Sequence, residues 1–502
     1  MKETTFLKNL KENFYFQFFA LLGAVFLFVG KPVPYSNEYS YLLRLRKVYD
    51  PDYLARDITF STPTNEYWLF DHIFGLPTLF LSIETVGWFG RIACWSILLF
   101  ALMKLGKRWK IPLWTISVSI FLWLYIGQSI VAGEWMFGGF EAKCVAYICL
   151  IFALDFFCGE RDVLAATLLG LAFAFHPVIG LWGMAAAIPA LLICRRNFRQ
   201  ILKIVAITGT FSLVGAIPLL KMRAESIEPT SENLKYFQLV KFPHHFDPFS
   251  WSRSETLLTC ALMAFCLVIH FQIKNAKPPD FLIAFLTLLG VFFMFGIAAR
   301  AFNLYEIMKY TPTRLFAVFI PLFFFLYLSR AFYENLLRKT LQIAALLPII
   351  ILSLWVRIPT RGFEQSKTTY EAWIQTPDDT ADAFVWLRNN TPKDIIVLAP
   401  PWRYDFWYLS ERAEVVNYRK PVIADVGEWQ NRLNDLIGKA EPENGFREEE
   451  ELAKFYFQIS KEKIDSLAEK YKAEYFITET DYPYPVVYSK GGIKIYRLPT
   501  ER

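Results

Sequence analysis

No Walker loop, G-x-S-x-G elbow, H-E-x-x-H pair or dinucleotide fingerprint occurs in this sequence, so chemistry carried by a soluble cofactor has no support. Cysteine is scarce, at seven in 502 residues. All of them (Cys94, Cys144, Cys149, Cys158, Cys194, Cys260, Cys266) lie in or beside apolar runs. Their spacing fits no zinc motif, and helix packing is the expected role. Beyond residue 357 there is none, a distribution compatible with a bacterial envelope protein. Internal repeats are missing too. No small-x-small cleavage site follows the first apolar run, which is expected to stay as a retained helix. Charged residues make up only 20% and are unevenly spread.

What is abundant is apolar surface: 54% of the residues are hydrophobic and 18% aromatic. They gather into runs such as FYFQFFALLGAVFLFVG (14–30), IPLWTISVSIFLWLYIG (111–127) and LQIAALLPIIILSLW (341–355). Runs near ~20 apolar residues cross the hydrocarbon of a bilayer. Without the alternation of barrel strands they do so as helices, which satisfy their own backbone. The pattern predicts a mainly α polytopic membrane protein of about eleven transmembrane helices. They fall near 14–30, 86–106, 112–130, 143–158, 163–176, 178–193, 203–220, 255–273, 281–299, 313–329 and 340–356. Pro177 disfavours helical geometry at His176, so 163–193 reads as two short helices hinged at HPVIG. The stretch 69–83 is too short, and too interrupted by Asp71, His72 and Pro77, for a span. An interfacial or re-entrant helix is expected there.

Basic clusters set the orientation. They are Lys104, Lys107, Arg108 and Lys110; Arg195, Arg196, Arg199 and Lys203; and Arg330, Arg338 and Lys339. Placing all three in the cytoplasm puts the N-terminus, with Lys2, Lys8 and Lys11, inside as well. An odd number of spans then leaves the tail outside, with 31–68, 131–142, 221–254 and 300–312. From 358 the composition is that of a soluble α/β domain. DTADAFVWLRNN reads as a helix capped by Asp379 or Thr380, DIIVLAP as a buried strand, and EYFITE and GIKIYRL as two more. The expected organisation is a transmembrane domain over 1–357, including a first outer loop at 31–85, and an extracytoplasmic α/β domain over 358–502. That tail carries about −5, leaving about +11 of the total +6 to the membrane part. This balance suits anionic lipid or a lipid phosphate, and the cytoplasmic clusters alone also account for it.

The polar residues of the outer face are the ones that carry chemistry. In VPYSNEYSYLLRLRKVYDPDYLARDITF (33–60), a helix over 36–48 puts Glu38, Leu42 and Leu45 on one face, with Tyr41 and Arg44 to one side. An amphipathic helix on the membrane surface would result, with Asp57 beyond the turn YDPDY. A solvated loop with interfacial tyrosines explains the same pattern without chemistry. GEWMFGGFEAKCVAY (133–147) sets Glu134, Glu141 and Lys143 between two spans, where charges face a cavity, a partner or a site. Two apart on one helix, Glu141 and Lys143 would point away from each other. A re-entrant turn with snorkelling charges is the plain alternative. His176 is expected to hydrogen-bond at the helix break. His244 and His245 beside Asp247 lack converging ligands from other elements, so no metal site is assigned. Arg300 and Arg314 sit at outer ends of spans, against the positive-inside preference. A guanidinium there grips a phosphate bidentately or simply snorkels.

Together these residues resemble the GT-C class of membrane glycosyltransferases, which includes lipid A aminoarabinose transferases and protein mannosyltransferases. The likeness lies in a first span, then an outer loop opening SNEYSYLLRL with Asn37-Glu38 where the class has an Asp-Glu pair. A further Asp57, a many-helix core and an outward α/β domain extend it. GFEAKCVAY, AFHPVIGLW, TPTRLF and LSERAEVVNYRKP look like an uncharacterised bacterial branch of these proteins. The resemblance implies transfer of a sugar from a polyprenyl-phosphate-linked donor to an extracytoplasmic acceptor at the bacterial inner membrane. It implies Glu38 as general base with Asp57 second, and Arg300, Arg314 and Lys143 on the donor phosphate. Glu134, Glu141, His176, His244 and His245 would be acceptor or cavity contacts. No cofactor is fixed by it; the polyprenyl-phosphate-sugar is a substrate, and a divalent metal is left open. The bilayer and the lipid-linked donor are the expected partners, with no nucleic acid. Asn37 departs from the class, because an amide is not a base. Either Glu38 or Asp57 has that role, or the scaffold persists without the chemistry.

Two other classes compete. A flippase or transporter of lipid-linked sugars would use the same arginines but should have related halves with broken helices. A non-catalytic envelope-assembly protein would dock partners through PPWRYDFWYLSERAEVVNYRKP (400–421), rich in interface-type residues. That stretch would equally bind the acceptor or cap the membrane core.

Overall fold

All eleven expected runs are helical in the computed structural model, which describes residues 11–61, 65–194, 197–226, 228–275, 277–338, 340–422, 425–438 and 449–499. The first span α1 (Phe14–Val29) leads into two loop helices, α2 (Glu38–Tyr49) and α3 (Trp68–Gly75). Then follow α4 (Ile83–Gly106), α5 (Leu113–Tyr125), α6 (Ala142–Cys158), α7 (Asp162–Phe175), α8 (Pro177–Ile193) and α9 (Phe198–Glu225). The bundle ends with α10 (Arg253–Gln272), α11 (Asp280–Ala301), α12 (Arg314–Tyr333) and α13 (Thr340–Trp355). Among the described residues, five helices (α4, α9, α10, α11 and α12) are long and apolar enough to cross a membrane. The helix α14 (Arg361–Ile374) follows α13 after a 64° bend, and the two make a sixth if counted as one broken span. α1, α5, α7 and α8 are shorter apolar helices. The chain is a multi-pass membrane protein. Arg195, Arg196, Lys339, Lys2 and Lys8 lie outside the described residues.

The hinge at His176 has a local cause. Pro177 occupies the first position of α8, where its missing N–H costs nothing, and His176 is extended with its Nδ1 accepting from the Ile179 N–H at 3.4 Å. Gly180 then lets α8 fold back onto α7, since a Cβ there would lie 2.1 Å from Phe173 Cα. The 69–83 stretch is α3 plus a 3-10 turn, Leu76–Leu79, whose Leu76, Leu79 and neighbouring Phe80 are exposed. α5 stops at Tyr125, five residues short of the expected end, and the chain to Glu141 is non-helical.

Beyond the bundle, α14 lies against the first span: Thr369 Oγ1 donates to the Phe28 carbonyl and Trp373 Nε1 to that of Gly30. The α/β unit then runs α15 (Asp379–Asn390), β1 (Ile396–Leu398), α16 (Phe406–Ser410), β2 (Ala413–Glu414), α17 (Val426–Ile437), α18 (Glu449–Tyr456), α19 (Lys461–Tyr471), β3 (Tyr475–Thr478), β4 (Val486–Lys490) and β5 (Ile493–Arg497). The cap of α15 is Asp378, one residue before the expected ones, accepting from the Ala381 N–H. Its five strands are ordered β2-β1-β3-β5-β4, parallel across the first three and antiparallel across the last three. β2 is an edge, and Asp57 of the first loop accepts from its Glu414 N–H.

Candidate functional site

α2 is not a surface helix. Leu42, Leu43 and Leu45 are buried, and so is Glu38 at its start. Glu38 Oε1 accepts from Arg91 Nε at 2.7 Å and from the Phe140 N–H at 2.6 Å. Its Oε2 accepts from the Tyr35 N–H at 3.0 Å and from a second Arg91 nitrogen. Gly139 packs flat against this carboxylate, where a Cβ would lie 2.8 Å from Glu38 Cδ. A general base needs a lone pair facing its substrate, and here both oxygens are engaged by fixed donors. The expectation that Glu38 is the base is therefore corrected: it is half of a buried ion pair that fixes the first loop on α4.

Asp57 is also buried. Its carboxylate accepts from the Thr59 N–H at 2.9 Å, from Trp407 Nε1 at 2.8 Å and from the Glu414 N–H of edge strand β2 at 3.0 Å. It fastens the α/β unit to the loop, and the second base assignment falls with the first. Around it, Arg46 meets Glu411 at 3.0 Å, Tyr408 bonds Glu84, and the rings of Tyr39 and Tyr404 stack at 6.3 Å. The stretch 400–421 thus caps the membrane core. Burial pushes the Asp57 carboxyl up to about 6, against the pull of its three hydrogen bonds, and burial raises its neighbour Glu414 as well. With a folded pKa above the ordinary value, the folded state holds more protons, so stability is full at low pH and falls as pH rises from about 4 to about 6. Asp57→Asn should flatten that limb in unfolding titrations. An unchanged slope would contradict the assignment.

The residues that do converge line a cavity of about 780 Å³ between α2, the α7–α8 hinge, the end of α9, the 228–246 stretch, the 309–314 turn and the α/β unit. One wall is apolar, with Phe173, Leu181, Leu219, Leu220 and Phe237. Leu219 and Leu220 of this wall belong to α9, a helix long and apolar enough to cross a membrane, and Leu220 is 64% exposed. The other wall is charged: Arg44, Arg223, Lys309, Arg314 and Lys420 against two carboxylates, Glu66 and Glu228. Cations outnumber anions by more than two to one in a low-dielectric recess, so the field favours an anion. Arg223 donates to the Tyr310 hydroxyl at 3.1 Å and Lys309 to Glu306 at 2.5 Å. Lys420 donates to Asn37 Oδ1 at 3.0 Å. Arg44 Nε is buried with no hydrogen-bond partner among the described residues.

Two of these cations are tethered from behind. Arg314 Nε meets Glu134 Oε2 at 3.0 Å; Lys143 lies 3.8 Å from Glu134 and 3.8 Å from Glu141; and Glu141 interacts electrostatically with Lys420. Arg314, Glu134, Lys143, Glu141 and Lys420 form a chain of alternating sign, buried in its middle, whose two half-buried ends line the cavity. Alternation keeps each desolvated charge compensated. Burial draws the Lys420 ammonium down to about 8, opposed by Glu141, and lifts the Glu141 carboxyl to about 7, opposed by Lys143 and Lys420. Glu141 and Lys143 face each other, contrary to the sequence reading, because Glu141 is the extended residue before α6 (φ −135°, ψ 156°) and not part of the helix. Lys143 also sits 3.2 Å above the Trp135 ring.

Of the residues singled out in the sequence, the cavity gathers Arg314 and His176. His176 packs its ring 5.1 Å from that of Tyr67. Arg300 does not line it; it holds Asp247 at 2.8 Å and Asn303 at 2.8 Å, bracing a loop. Lys143, Glu134 and Glu141 stand behind the wall, and Glu134 borders a second cavity of about 440 Å³ beside α14. The His244 and His245 rings lie 4.1 Å apart, tilted by 44°, and His245 Nδ1 bonds the Ala132 carbonyl at 2.9 Å, a structural pair outside the main cavity. Burial lowers His245 to about 3. Among the described residues no three His, Cys, Asp or Glu side chains converge to hold a metal. No site role was assigned from the sequence to Arg44, Lys420 or Glu66. Arg44 was visible beside the Glu38 face of α2, whereas no local signal tied Lys420 or Glu66 to a membrane cavity.

Residues 378–436 match a family described as a domain of unknown function, DUF6798. That segment contains Lys420 and most of the contacts to the first loop. No curated protein matches the chain. In structure the chain is similar to the Archaeoglobus fulgidus oligosaccharyltransferase solved with zinc and sulfate, at 14% identity over 92% of this chain and 67% of that one, with a TM-score of 0.45. It is also similar to the oligosaccharyltransferase AglB from the same organism, in complex with an inhibitory peptide and a dolichol-phosphate, at 13% identity, 92% and 68% coverage and a TM-score of 0.43.

Proposed function

We propose that this protein is a GT-C-type membrane glycosyltransferase whose cavity holds the phosphate of a polyprenyl-phosphate-linked sugar. One observation carries the reading: a single cavity joins an apolar wall, part of it on the membrane-spanning-length helix α9, to five cationic side chains. An amphiphilic anion satisfies both halves. The polyprenyl chain would lie along Phe173, Leu181 and Leu220, and the phosphate would meet Arg44 and Lys420. The cavity end of the bundle faces outward. α4 and α12 run from it to a basic end, where Arg330 donates to the Lys110 carbonyl beside Lys107 and Arg108. This polarity supports a reading in which the cavity and the α/β unit lie on the extracytoplasmic side of a bacterial inner membrane.

The base role, withdrawn from Glu38 and Asp57, passes to Glu66, the carboxylate of the first outer loop that lines the cavity. It would take the proton of the acceptor hydroxyl while Arg44 and Lys420 stabilise the departing phosphate. Incubation with a radiolabelled polyprenyl-phosphate-hexose should release polyprenyl phosphate in the presence of acceptor extracts. Glu66→Gln should slow that release by about 10²–10⁴-fold, the usual range for a general base. One observation favours a non-catalytic lipid-binding reading instead: Asn37, the amide at the place of the class's acid, lines this cavity. Donor binding without turnover in the wild type would select that reading.

A further inference from the structure

The cavity has needs that an anion does not meet. Gln238 lines it, is fully buried, and sits in a π-helical turn, Tyr236–Lys241, a geometry that recurs at functional sites. Its amide orientation is fixed: Nε2 donates to the Tyr305 carbonyl at 2.9 Å, and a carbonyl only accepts. Oε1 is left as a buried acceptor with no partner among the described residues. Two more residues of the lining, Thr59 and Thr311, have buried hydroxyl oxygens that are equally without hydrogen-bond partners among those residues. Buried polar groups of this kind are uncommon, because each costs the desolvation of an unmade hydrogen bond. An ionised phosphate diester has no hydrogen to offer Gln238. A ligand part rich in O–H groups does.

We infer that Gln238, with Thr59 and Thr311, reads hydrogen-bond donors on the group attached to the lipid phosphate, the hydroxyls of a sugar. This rests on the lipid-phosphate reading of the cavity and adds a specificity-determining element to it. The cations select charge, and the uncharged trio distinguishes a glycosylated carrier from a bare one. A site that leaves an acceptor unpaired when the hydroxyl is missing rejects the shorter ligand.

The test compares two probes, a polyprenyl phosphate and the same carrier bearing one hexose, by equilibrium binding to the full-length protein in nanodiscs. The hexosyl probe should bind the wild type about tenfold more tightly, the worth of one or two net hydrogen bonds. Gln238→Met should bring the ratio of the two affinities close to one. Thr311→Val, which removes a hydroxyl with no partner to lose, should lower the same ratio and serves if Gln238→Met fails to fold. A wild-type ratio of one, or a ratio unmoved in both variants, overturns this inference and leaves the lipid-phosphate reading standing. A wild type that binds neither probe overturns both.

Discussion

Glu38→Ala should cripple folding before it touches any reaction. The substitution leaves the Arg91 guanidinium, 2% exposed on α4, with two carbonyl partners, Lys31 and Pro32, and no counter-charge. Breaking a buried ion pair from one side costs about 3–5 kcal/mol, against about 0–1 kcal/mol for an exposed pair. Two backbone donors, the N–H groups of Tyr35 and Phe140, lose their acceptor at the same time. The first loop, held on α4 in large part by this carboxylate, should loosen, and with it the α/β unit fastened to the loop through Asp57. Thermal or denaturant unfolding in detergent would register a loss of that size. The double replacement Glu38→Leu with Arg91→Met should recover much of it, because an apolar pair of similar volume carries no stranded charge. A stable Glu38→Ala protein with abolished turnover would contradict this placement and return Glu38 to the chemistry.

The second large effect is on ligand binding. Arg44 Nε is buried without a hydrogen-bond partner among the described residues, so binding an anion there costs no hydrogen bond seen among them. A charge-assisted hydrogen bond contributes about 1.5–3 kcal/mol, so Arg44→Met should weaken polyprenyl phosphate binding by about 10–100-fold. Lys420 must exchange its bond to Asn37 for one to the ligand, so Lys420→Met should cost about tenfold or less. With its ammonium drawn down to about 8 by burial, wild-type affinity should decline as pH rises through that value. Lys420→Arg should bind without that decline, since a guanidinium stays charged. Affinities indifferent to both positions would remove the phosphate from this cavity.

The bundle was legible because its signal is local. Each apolar run stands out by composition, and Pro177 marks the α7–α8 break by a steric rule that acts between neighbours. The α/β unit was legible for the same reason, down to three of its strands. The site was not. Glu38 and Asp57 were conspicuous as acids in an outer loop, but their function depends on Arg91, Trp407 and the Glu414 N–H, which lie 53, 350 and 357 residues away. Nothing in a window of sequence distinguishes a carboxylate that awaits a proton from one saturated by distant donors. Arg300 and Arg314 looked alike at the ends of neighbouring spans, yet Arg300 turned to Asp247 and Arg314 to the cavity. Lys420 lies in a soluble-looking segment, and only its docking onto α2 brings it to Asn37. The pairing of Glu141 with Lys143 was misjudged because Glu141 is the extended residue before the helix, whereas the reading set both on one helix.

The most direct measurement is the affinity of the wild-type protein for a polyprenyl phosphate beside the uncharged polyprenol of equal length. If the cavity pairs a lipid wall with a cationic head, the phosphate should bind about 100-fold more tightly, and Arg44→Met with Lys420→Met should remove most of that difference. Equal affinity for the two lipids, or a preference for the phosphate that survives the double substitution, would contradict it.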